Sequence, residues 1–114
     1  MLITKDYFSK TPKLKIEKVK LTDKKEIYVR EVTGNEYAKA QLAGSPDGEK
    51  WDSNKFQNAL IGVSICDADG VRILGDDELN KVGDCFNEPD IILLYLAARK
   101  LNRLDEDIEA LAGK

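Results

Sequence analysis

The apolar residues of this chain change period along its length, and the changes divide it into pieces. Over residues 14–21, LKIEKVKL, apolar and polar positions alternate with the period of a half-buried strand. The apolar set shifts phase, from Leu14 and Ile16 to Val19 and Leu21, which predicts a bulge or twist near Glu17. EIYVREV, residues 26–32, alternates again, with Ile27 and Val29 on one face and Tyr28 and Arg30 on the other. The polar link TDKK makes the two runs a β-hairpin. Ahead of them, MLITKDYFSK is expected as a short helix or a loose arm, punctuated by Pro12.

From Thr33 the period lengthens. Thr33 stands three residues before Glu36, the spacing at which hydroxyl and carboxylate each take the other's free amide. The helix GNEYAKAQLA turns Tyr37, Ala40 and either Leu42 or Ala43 toward a core, and Gly44 stops it. GSPDGEK is a loop. Asp52 or Ser53 can cap the next helix. There Phe56, Ala59, Leu60 and Val63 recur at i, i+3, i+4 and i+7, although Ile61, Val63 and Ile65 also alternate as a strand would. Helix over 53–66 is the preferred reading; 61–65 stays open between helix and strand.

DADG turns the chain and VRIL is a short extended piece. Asp76, Asp77 and Glu78 open a short helix at the end where acids suit the backbone dipole, and Gly83 ends it. Pro89 suits the first turn of the last main helix. That helix carries Ile91, Leu94, Ala97, Ala98, Leu101 and Leu104 on one face. Leu93 and Tyr95 lie off it, so the first half is apolar nearly all round, as in a helix buried on several sides. One of those sides could belong to a partner subunit, and self-association is one option for it. Residues 105–114 add a turn or two and then fray. The fold class is α+β: an N-terminal β-hairpin (14–32) after an arm (1–13), then a small, predominantly helical part (33–104) and a tail (105–114), all in one domain.

Composition narrows the function. A chain of 114 residues can bury a core without disulfides or metal. The net charge of −3, from 18 basic and 21 acidic residues, argues against gripping nucleic acid through its phosphates. Lysines cluster early, from Lys5 to Lys25, and acids late. A solvated strand surface explains the lysines better than a polyanion-binding face. The longest apolar run, 91–98, is too short to span a membrane. Cys66 and Cys85 form no C-x-x-C and no signal peptide precedes them, so both are expected as reduced, buried thiols.

Histidine is missing altogether, which removes the commonest general base and metal ligand. No serine can then join a serine–histidine arrangement, and no Gly-rich phosphate loop appears. ICDADGVRILGDDE, residues 65–78, imitates a calcium loop. With Gly70 at the sixth position, however, the first is Ile65, which offers no side-chain oxygen, and the twelfth is Asp76 rather than a bidentate Glu. A tight turn on Asp69-Gly70 is the better reading. The expectation is therefore no enzyme, no cofactor and no metal.

The order of the pieces resembles a known family. VKLTDKKEIYVREVTGNEYAKAQ is similar to the opening of the tail assembly chaperones of lambda-like long-tailed phages, where V-x-V-R-E-[VM]-[TS]-G leads into a helix. FQNALIGVSICDADGVRILGDDELNKVGD resembles that family's middle, and IILLYLAARKLNRL its terminal helix. The likeness covers about residues 14–104 and rests on order and spacing. It departs at the hairpin turn, where Lys24 stands in place of the usual glycine after Asp23. It departs again after D-x-D-G, where Gly75 or Asp76 holds the helix-cap position.

The resemblance implies a non-catalytic chaperone in the bacterial host's cytoplasm. It would bind the tape measure protein, recruit tail tube subunits and be absent from the virion. The implied contact is an apolar surface, with candidates Phe56, Leu60, Val63, Ile91, Leu94 and Leu101. Trp51 is expected as a lid on the core or as an interface anchor. Gly113-Lys114 suits a frameshift to a longer form. The competing readings are a head–tail connector or minor tail subunit that stays in the virion, and a helix-turn-helix over 76–104.

Overall fold

The computed structural model describes residues 2–104. The expected last turns of the tail and the frameshift position at Gly113-Lys114 lie outside the described residues. A three-stranded antiparallel sheet and four α-helices follow one another as β1 (Ile16–Lys20), β2 (Glu26–Arg30), α1 (Gly34–Gly44), α2 (Ser53–Ser64), β3 (Ile65–Cys66), α3 (Lys81–Cys85) and α4 (Glu88–Leu101). A 3-10 helix at Lys5–Ser9 forms the arm and buries nothing. The α+β architecture, with its N-terminal hairpin, is the one the alternation predicts.

The hairpin register runs without interruption from Ile16↔Arg30 to Lys20↔Glu26. Of the bulge or twist expected near Glu17, the bulge is therefore not there. The phase shift has a different cause: the apolar residues of β1 lie on both faces of the hairpin. Val19 and Ile27 lie opposite each other on the inner face with Val29, packed against the core. Ile16 lies on the outer face, where its Cδ1 comes within 3.1 Å of where a Cβ on Gly70 would stand. At the turn Lys24 adopts φ 71°, the left-handed conformation that favours glycine.

α1 begins as its sequence dictates. Thr33 Oγ1 accepts from Glu36 N at 3.3 Å, and Glu36 Oε1 accepts from Thr33 N at 2.9 Å. Ala40 is buried, Tyr37 and Ala43 are half-buried, and Leu42 points to solvent. Asp52 caps α2 through the amides of Asn54 and Lys55.

The second half of α2 is buried on every side, with Ala59 to Ser64 all enclosed. Such a stretch satisfies helical and strand periods at once, which is why 61–65 reads both ways. Helix wins through Ser64, whose hydroxyl donates to Leu60 O at 2.6 Å. Ile65 and Cys66 then pair with Val29 and Tyr28, adding the third strand. No glycine or proline ends α2; strand pairing with β2 does.

The last main helix lies across the hairpin and is tied to it at both ends. Buried Asp90 accepts from Thr22 N in the hairpin turn at 2.8 Å. Asn102, just past the helix, accepts from Val32 N at 2.8 Å. Asn87 caps the helix through Asp90 N at 2.9 Å, and Pro89 sits in the first turn. Between the ties Ile91, Leu94 and Ala98 close the core against α2 and the sheet. Gly83 does not end the helix before it, since α3 continues to Cys85. A Cβ on Gly83 would stand 2.9 Å from Asn58 Nδ2, so this glycine serves close packing on α2.

Candidate partner-binding face

The periodic stripes mark the core. Phe56, Leu60, Val63, Ile91 and Leu94 are all buried within the chain's own fold, and Leu101 is half-buried beside them. None of the first five is open surface, which corrects their expected place as contact positions. The physical reason is general: a stripe at helical spacing buries first against the nearest apolar partner, and here that partner is the chain itself.

What α4 leaves in solvent is the opposite side. Ile92, Leu93 and Leu96 remain 47%, 39% and 56% exposed. They stand at i, i+1 and i+4, one patch on the turned-away face. Glu88 lies at its N-terminal end and Lys100, also exposed, at its C-terminal end. The sequence signal for this patch is the excess of apolar residues outside the stripe in 91–98. Other large apolar side chains also face solvent: Leu42, Val71 and Ile73, and in the arm Leu2, Ile3, Tyr7 and Phe8.

Trp51 takes the first of its two expected roles, the lid. Its ring lies 5.1 Å from that of Phe56, and a Cβ on Gly44 would come within 2.8 Å of it, so it lids this end of the core. Its outer side stays more than half exposed. A depression of about 220 Å³ lies between α1, α2 and Leu79, lined by Ala43, Ala59, Lys55 and Asn58. Gly62 lets Leu79 pack closely on α2, because a Cβ there would meet Leu79 Cδ2 at 2.8 Å.

Three carboxylates of the acidic loop, those of Asp67, Asp76 and Glu78, serve the fold. Asp67 Oδ1 accepts from Asp69 N at 2.9 Å and Val71 N at 3.0 Å, and Gly70 takes φ 83°. Asp67 is thus the organiser of a tight turn. Beyond it, Asp76 accepts from Lys39 at 2.6 Å and from Arg72 at 2.8 Å, bonds that hold its carboxyl below the ordinary range. Glu78 accepts from Lys81 at 2.9 Å and from Gly75 N at 3.1 Å, which lower its pKa in the same way.

The two cysteines part company. Cys66 is buried and Cys85 is exposed, against the expectation that both are enclosed. Burial pushes the Cys66 thiol up despite the opposing pull of Arg30, so it is held away from the nucleophilic thiolate. Among the described residues no helix is long and apolar enough to cross a membrane.

No protein-family profile matches the chain, and no curated protein matches it in sequence. A solved structure does. The tail assembly chaperone of bacteriophage HK97 superposes with a TM-score of 0.53 at 15% sequence identity, over 82% of this chain and 87% of that one. The capped α1 after the hairpin, the enclosed α2 and the doubly tied α4 are thus arranged, in this chain, in the fold of a phage tail assembly chaperone.

Proposed function

We propose that this chain is a non-catalytic chaperone of phage tail assembly that binds the tape measure protein and recruits tail tube subunits. It works in the host cytoplasm and leaves before the virion is complete. The observation that carries the reading is the exposed apolar patch of Ile92, Leu93 and Leu96 on a helix whose other side is already packed, in a fold shared with the HK97 chaperone. A long helical partner with its own apolar stripe would cover such a patch, gaining affinity without chemistry.

Co-expression with a tape measure fragment tests this. The native chain should keep the fragment soluble. Ile92→Asp with Leu96→Asp should abolish that rescue while the far-ultraviolet circular dichroism of the chain stays native. Rescue undiminished by the double variant would remove this face from the reading. Recovery of the chain from purified virions would replace the chaperone with a retained connector or minor tail subunit.

A further inference from the structure

The outer row of α4 is its own complement. Glu88, Ile92, Leu96 and Lys100 stand four positions apart, one ridge along the helix surface, and all four are exposed. An acid holds one end, a base the other, and two apolar residues the middle, placed symmetrically about the level of Leu94. Neither Glu88 nor Lys100 is held in an ion pair among the described residues. Acids at the start of a helix and bases at its end suit the backbone dipole by themselves. The dipole does not ask for an apolar pair on the same ridge between them. Turned end for end, the row matches itself: acid meets base at both ends and apolar meets apolar between. Laid parallel, it would set acid against acid and base against base.

We propose that two copies of the free chain pair through this face, α4 antiparallel to α4 about a two-fold axis at the level of Leu94, and that a tape measure helix takes the second copy's place. The displacement rests on the function proposed above; the pairing does not. Ridges of this kind lie side by side at the commonest crossing angle between helices, about −50°. The partner's Ile92 and Leu96 then enter the groove between this row and the next, which carries Leu93 and the small Ala97. Glu88 stands beside the partner's Lys100 at each rim. The contact uses the same patch on both copies, so it closes at two. It is also small. Stable interfaces bury upwards of roughly 1,200 Å², more than one helix about 21 Å long with three apolar side chains can cover. The pair is therefore reversible, which lets the patch be kept from water in the free chain and surrendered to a longer apolar partner.

Sedimentation equilibrium of the full chain alone, from about 10 μM to 1 mM at low salt, tests the pairing. The mean mass should rise from one chain toward two. Ile92→Asp with Leu96→Asp should hold it at one while the circular dichroism stays native. Glu88→Lys and Lys100→Glu should each weaken the pair by about tenfold, because like charges then face each other at both ends. Mixing these two single variants should restore native strength, since every reversed end then meets its opposite. A merely structural role for the two charges gives no such rescue. A native chain that stays monomeric up to 1 mM overturns the pairing, as does a mass that climbs past two chains. So does a mixture that pairs no better than either variant alone. Rescue of a tape measure fragment is read separately. Rescue by a native chain that never pairs would sink this inference and spare the proposed function; pairing without rescue would do the reverse.

Discussion

On one side of α4, Ile91, Leu94 and Ala98 are 6% exposed or less; on the other, Ile92, Leu93 and Leu96 keep 39–56% of their surface in water. The two sides are alike in hydrophobicity and differ in what covers them. Full burial of a leucine contributes roughly 1.5–3 kcal/mol, so three exposed apolar side chains on one helix forgo much of that. Scattered exposed leucines need no explanation; a contiguous patch points to a partner. The inner face makes the fold, and the outer face is what the fold has left to offer.

The largest break in that comparison should come from Leu94→Ala. Leu94 is fully enclosed between α2 and the sheet, so truncation leaves a cavity and should cost about 2–5 kcal/mol. Urea unfolding would show it as a lower midpoint with little change in slope. A loss below 1 kcal/mol would mean that the inner face is not the core.

Asp90→Ala should come second. It removes the acceptor of Thr22 N, a charge-assisted bond at 2.8 Å in a buried site at the positive end of α4. The expected loss is about 1.5–3 kcal/mol. Hydrogen exchange adds a sharper reading, because the Thr22 amide should lose protection while Val32, tied by Asn102 at the far end, keeps it. Loss of protection at both would mean that α4 leaves the hairpin as one unit.

How far the sequence reveals these features depends on whether a local rule decides them. The Thr33–Glu36 cap, the turn at Gly70 and the Pro89 helix start are each set by residues within a few positions of one another, and each is readable. The end of α2 is not, because Ser64 and Ile65 carry no stop signal and pairing with β2, far away in sequence, makes the choice. Ile16 misleads for the same reason: on the outer face it lies against Gly70, 54 positions on. The contact site suffers most. Periodicity names Leu94 and Leu60 because a stripe records what is buried, and it cannot tell whether the cover is the chain or a partner. The useful signal is the remainder, the apolar residues of 91–98 that the stripe does not use.

The smallest effect on stability should fall on that remainder. Ile92→Ser and Leu96→Ser touch side chains already about half in water, so each should change stability by no more than about 0.5 kcal/mol. Serine is a somewhat poorer helix former than leucine, which sets a modest floor for the change. The same pair should remove the ability to keep a tape measure fragment soluble, since a polar side chain cannot close an apolar seam. The two faces of α4 would then be separated by experiment: one variant destabilises the chain, the other leaves it stable and idle. Should Leu96→Ser lower the urea midpoint as far as Leu94→Ala does, the outer face is holding the fold as well. The apolar excess of α4 would then belong to stability, and the partner's surface would have to be sought elsewhere on the molecule, first at Trp51 and the depression beside Leu79.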